Sequence, residues 1–304
     1  MDVNNREQNI YYARSLAGAV AGGAGYYGVK KFGYLPFRKW MVDYISKNGS
    51  KNNDEFLSVV QKVLNETGLA DKNVKICDFT PELEKEFAEN MTQNIKYRYR
   101  NVFPKFLKEK MISINLKKMK HRHQAVKNGT NAFFMPSKNS VVINTSKFAV
   151  VIPHELGHAQ NYNSNKFYNK MIRGLRKPCV KIAPLILLTG LLTPQKTKEE
   201  IPKNNLEKVD NFVKQNCGIL MSLTLLPVIL EEALASINAR KMVKSHLPDN
   251  LLRHMSKMNL VGFSSYVFGA LLTGIAATTA VFLRDKIAGS KPEEAKSLLE
   301  NLRI

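Results

Sequence analysis

The chain is 304 residues long, 44% apolar and 9% aromatic, and sets 46 Lys and Arg against 25 Asp and Glu for a formal charge of +21. That apolar content excludes a wholly disordered chain, and three cysteines without a CxxC pair exclude a disulfide scaffold, a zinc knuckle and a dithiol redox site. The cationic excess points to an acidic partner, either anionic lipid or nucleic acid, while a mean hydropathy of −0.25 leaves room for a soluble domain carrying a few membrane segments.

In chain order, residues 15–29 form the first run without charge, SLAGAVAGGAGYYGV, with Gly18 and Gly22 at GxxxG spacing. It reads as a membrane anchor, with a flexible glycine-rich linker as the alternative. The 14 residues before it carry no net positive charge, which argues against a signal peptide. Residues 54–67 place Phe56, Val59, Val60, Val63 and Leu64 on one face ahead of Gly68, which predicts an amphipathic helix and its stop. Residues 74–79 predict a short strand. Thr80-Pro81 then opens another helix, with Thr as cap and Pro at the first helical position, and Pro104 interrupts it. Residues 96–127 hold eleven Lys/Arg against Glu109 alone, interleaved with Tyr97, Tyr99, Phe103 and Phe106. With apolar runs nearby, this reads as a face turned to solvent or anionic lipid in preference to nucleic acid. Residues 131–135 and 140–144 flank Pro136-Ser137-Lys138-Asn139 and predict a β-hairpin.

Three further runs carry no charge: 182–195, 216–230 and 259–283. The last, 25 residues long, suffices to span a bilayer, whereas the others, at 14 and 15, are short for a span of about 20. If all four cross, residues 30–181 and 231–258 share one side and hold 34 of the 46 basic residues, which places that side in the cytoplasm.

The most informative residues are His154-Glu155-Leu156-Gly157-His158. On a helix, His154 and His158 stand one turn apart on the same face, so both imidazoles reach one Zn²⁺, and Glu155 lies beside them to take a proton from a zinc-activated water. A catalytic zinc site wants a third protein ligand. Glu231 and Glu232 end an uncharged run, where an unpaired charge is costly, so cation binding would explain them. For the donor that stabilises an oxyanion, His246, His254, Arg240 and Tyr162 are candidates.

These residues carry a resemblance. The run His154 to Asn161 is similar to the HExGHAxQ and HELGHxxN runs of membrane-associated gluzincin zinc metallopeptidases, of the HtpX and CAAX-protease family and of the YugP neutral metallopeptidase type. In those proteins an Asn-Ala-Phe edge strand precedes the zinc helix, as Asn131-Ala132-Phe133 does here, and a later Glu ligand is followed by xxAD or xxAS. Residues 232–236 fit ExxAS, so the resemblance implies Glu232 as third ligand, with Glu231 as its understudy. Ser236 would support a ligand imidazole, where the CAAX-protease group has Asp; that departure favours the YugP-like branch. The likeness covers residues 131–161 and 225–240.

The expectation is thus a mainly α chain with a small β-hairpin and edge strand, built as a zincin-like catalytic domain with up to four transmembrane helices. Its parts are an N-terminal anchor (1–30), a catalytic region (31–181), two apolar helices with their loop (182–230), a third-ligand segment (231–258), a transmembrane helix (259–283) and a tail (284–304). The function expected is a multi-pass zinc endopeptidase with one Zn²⁺ per chain, its catalytic side cytoplasmic, acting on polypeptides such as membrane proteins beside anionic lipids. Asn131, Ala132 and Phe133 would hold substrate backbone by strand addition. The rival readings are a membrane-anchored basic scaffold with a structural or inactive zinc site, and a soluble zinc peptidase whose apolar runs form its core.

Overall fold

A computed structural model of the chain describes residues 3–98, 104–194 and 204–289. Tyr99, Phe103, the loop at 195–203 and the tail beyond 289 lie outside the described residues. The fold is mainly helical. Helix α1 (Val3–Asn48) and α2 (Asn53–Glu66) lead to strand β1 (Lys75–Asp78), followed by α3 (Pro81–Arg98) and α4 (Lys105–Lys127). Strands β2 (Phe133–Met135) and β3 (Ser140–Ile143) precede the short α5 (Thr145–Phe148), then α6 (Ile152–Asn163), α7 (Phe167–Leu192) and α8 (Asn205–Gln215). Helices α9 (Cys217–Leu223), α10 (Leu226–Val243) and α11 (Asp249–Ala288) complete the described chain.

Two compact units emerge. One comprises Trp40–Lys170 and Glu231–Phe263. Its core gathers Phe56 and Val63 of α2, Val141 and Ile143 of β3, Ile152 and Leu156 of α6, and Met255 of α11, each essentially buried. The α2 stripe read from its spacing is the face that packs, and Gly68 ends the helix at φ 65°, with Leu69 N–H returning to the Leu64 carbonyl at 3.0 Å. At the start of α3 the Thr80 hydroxyl accepts the Leu83 N–H at 3.3 Å, the expected cap.

The three strands order as β1-β3-β2. The hairpin supplies the antiparallel pair, Phe133 opposite Val142, while β1 adds to the other side of β3 in parallel, Ile76 beside Val141. Strand β3 is therefore central and buried throughout, and β2 keeps a free edge. Strand β2 begins at Phe133, so Asn131 and Ala132 precede it.

The other unit comprises Met1–Lys39, Met171–Leu230 and Ser264–Ile304. Residues 15–29 lie inside α1 and are helical, which rules out the flexible-linker reading. Glycines make several of its closest contacts: a side chain on Gly22 would stand 2.5 Å from the Ala280 carbonyl oxygen, and one on Gly274 2.7 Å from that of Gly218. Ala276, Ala277 and Ala280 are fully buried, while Leu16, Val20, Leu185, Ile219 and Ile275 all point outward.

Two helical segments, Cys217–Val243 and Asp249–Ala288, are long and apolar enough to cross a membrane. Of their most apolar stretches, 28% and 39% is buried. The charge step at 181–182 falls inside α7, because Lys and Arg are good helix formers and do not end a helix. Residues 231–258, expected as a third-ligand helix and basic segment, hold the rest of α10 to Val243 and the start of α11 from Asp249.

Candidate metal centre

Helix α6 begins with Pro153 in its first turn, so the missing N–H costs nothing there and the motif occupies the helix start. Ile152, Leu156 and Ala159 face the core and fix the helix by its apolar side. That leaves His154 and His158 together on another face, with ring centroids 4.9 Å apart and planes at 84°.

Helix α10 brings the carboxylate to them. Its Ala235 and Ala239 are fully buried, and a side chain on Gly157 would lie 2.2 Å from the Ala235 carbonyl oxygen. Only glycine permits this approach of backbone to backbone. One turn along, Asn238 Nδ2 donates to Asn161 Oδ1 at 2.7 Å and ties the same two helices. The consequence is that Glu232 Oε2 stands 3.2 Å from His154 Nε2 and 3.4 Å from His158 Nε2.

His154, His158 and Glu232 each offer a ligand atom, all within 4.8 Å of one another. Two imidazoles and a carboxylate suit a first-row divalent metal ion, and three protein ligands leave a coordination position open. The outer nitrogens also have partners. When His154 presents Nε2 to a metal, its Nδ1–H donates to Ser236 Oγ at 3.2 Å, and His158 Nδ1 lies 3.6 Å from Glu231 Oε1. Burial opposes charge on the His158 ring, yet hydrogen bonds to Glu231 and Glu232, with the charges of Glu155 and Glu232, push its pKa up to about 10. Three carboxylates around two imidazoles thus demand positive charge in a buried place, and a metal ion fits that demand.

Glu155 stands apart from this set. It is 6% exposed, and its Oε2 accepts the Phe134 N–H at 2.6 Å. That N–H does not point at β3, so the Glu155 carboxylate touches the free edge of the sheet. Of the strand residues singled out in sequence, Phe133 belongs to β2 but the contact with Glu155 falls on Phe134, which the sequence did not mark.

The four oxyanion candidates separate. His246 Nε2 pairs with Glu66 at 2.7 Å, the His254 ring packs on Phe56, and Arg240 lines a cavity beside α10. Tyr162, one turn beyond His158, has its ring 5.8 Å from that of Phe134 and so sits by the free edge. Gly157 and Asn161 were also passed over. A glycine inside a helix disfavours it by about 1 kcal/mol, so its presence within the motif was the available signal of a close approach. No family model, curated protein or solved structure matches the chain.

Proposed function

We propose that the chain is a membrane-embedded zinc endopeptidase. The observation that carries the reading is the position of Glu155, outside the three-ligand cluster yet in hydrogen-bond contact with the edge strand. A structural metal site has no use for a further, non-ligating carboxylate aimed at a strand edge. A peptidase needs a base there.

Zinc, when bound by His154, His158 and Glu232, supplies a Lewis acid for the scissile carbonyl and an acidified water. Glu155 accepts the proton of the attacking water and passes it to the leaving amine. The free edge of β2 takes the substrate as an added strand, its backbone paired with β2. A substrate carbonyl that accepts the Phe134 N–H replaces Glu155 as its partner, which frees the carboxylate for proton transfer as substrate arrives. Tyr162, beside Phe134, is the donor closest to hand for the oxyanion.

Membrane residence is supported by the packing of the unit that holds the uncharged runs. Glycine and alanine set several of its closest contacts, beside a cluster around Met221, and its outer faces carry Leu, Ile, Val and Phe, as helices packed in lipid do. The unit of Trp40–Lys170 and Glu231–Phe263 holds the metal cluster and much of the positive charge, which favours a cytoplasmic location for it. Polypeptides at the membrane surface are the fitting substrates.

The test is cleavage of casein by detergent-purified protein loaded with zinc. Glu155→Gln is expected to keep its zinc and lose activity by roughly a hundredfold or more. Zinc retention without cleavage by wild type would replace the peptidase with a basic membrane scaffold built on a structural zinc.

A further inference from the structure

A cavity of about 440 Å³ opens between α10 and α11 in the unit that holds the metal cluster. Its wall is apolar, with Ile237, Leu260 and Phe263, and Arg240, Lys241 and Lys244 also line it. Among the described residues those three cations have no carboxylate partner. A further polar group is left over: Asn259 is 6% exposed, lines the cavity, and its Oδ1 has no hydrogen-bond partner.

The cavity also lies at a particular level of these helices. Arg240 and Lys241 stand in the last turn of α10, and Asn259 opens the 25-residue uncharged run of α11. Helix α11 changes there from charged to apolar, which in a membrane helix marks the headgroup region, and α10 brings its cations to the same level. The volume suits an acyl chain segment or a drug-sized ligand.

We infer that the cavity binds one anionic phospholipid: the acyl chain against Ile237, Leu260 and Phe263, the phosphate on Arg240, Lys241 and Lys244. Its source is the bilayer, so the inference rests on the membrane reading but not on peptidase activity. Ser236, the partner of His154, belongs to the same wall, and the cavity and the metal cluster therefore share a residue.

The experiment counts lipids held by the full chain in dodecyl maltoside, by native mass spectrometry, after titration with phosphatidylglycerol or phosphatidylcholine. Wild type is expected to retain one phosphatidylglycerol per chain with about a tenfold or greater preference over phosphatidylcholine. The triple variant Arg240→Gln, Lys241→Gln, Lys244→Gln is expected to lose the preference. Ser256→Phe, which fills the cavity from α11 and leaves every charge in place, is expected to lose the bound lipid while its circular dichroism matches wild type. Equal retention of both lipids by wild type would overturn the inference. So would phosphatidylglycerol retained by Ser256→Phe, since the +21 chain would then be holding lipid by its general charge. Oleate held more tightly than phosphatidylglycerol would overturn the phospholipid as occupant. Extraction of the chain without detergent would instead refute the membrane reading, and is scored apart from the lipid count.

Discussion

At the scale of single residues, the two helices of the metal cluster depend on an absence, the missing side chain of Gly157. Its added Cβ would meet backbone, not a movable side chain, at 2.2 Å from the Ala235 oxygen. Gly157→Ala is therefore expected to push α6 from α10, cost about 1–3 kcal/mol or more, and lower zinc content with it. Thermal unfolding and metal analysis of the purified variant check both effects. Ser236 acts more gently. Removing the hydroxyl that accepts from His154 Nδ1 leaves the ligand in place but unoriented, so Ser236→Ala is expected to weaken zinc binding by about 10–100-fold, and Ser236→Asp to hold or strengthen it. Competition with a chelator of known affinity measures the change. The placing of His154 and His158 on one helix face was legible in sequence because the HExxH spacing is itself a helix geometry. Phe134 was not, because its contribution is a backbone N–H and every residue but proline carries one. Which of Glu231 and Glu232 faces the histidines was left to a resemblance, since adjacent helical residues differ by about 100° of rotation and the sequence gives no absolute phase.

At the scale of elements, local signals carried well. The apolar stripe of α2, the Thr80 cap and the turn between β2 and β3 each act within a few residues, and each stands where its signal lies. The parallel pairing of β1 with β3 was out of reach, because it joins segments some 65 residues apart through backbone groups that no side-chain pattern announces. Helix α1 was ambiguous for a different reason. Glycine disfavours helix in water yet permits close approach in lipid, so one composition supports opposite readings until its neighbours are known. Two adjacent glycines now separate the effects. A side chain at Gly22 would meet the Ala280 oxygen at 2.5 Å, whereas one at Gly23 meets nothing within 4 Å. Gly22→Ala is expected to lower the thermal midpoint in dodecyl maltoside. Gly23→Ala is expected to leave it unchanged or raise it, by up to about 1 kcal/mol of helix propensity. Equal effects of the two would remove the close contact of α1 with α11 from the account.

At the scale of the whole molecule, charge and burial describe one division. The uncharged runs fall almost entirely in one compact unit, with close glycine and alanine contacts inside and many large apolar residues outside. The histidines, Glu155, Glu232 and the apolar core of Phe56 and Ile143 fall in the other. The sequence carried this division because charge is counted residue by residue, and the cost of placing it in lipid does not depend on tertiary detail. It did not carry the cavity between α10 and α11, which exists only once two helices are set side by side. The account turns on the claim that α6 and α10 together build a metal centre, with Glu232 and not Glu231 as the carboxylate ligand. The most direct test is zinc per chain, by elemental analysis of detergent-purified wild type, Glu232→Ala and Glu231→Ala. The account predicts one zinc in wild type, close to none in Glu232→Ala, and near-normal content in Glu231→Ala. A wild type free of metal after zinc loading, or a Glu232→Ala variant that keeps its zinc while Glu231→Ala loses it, would contradict it.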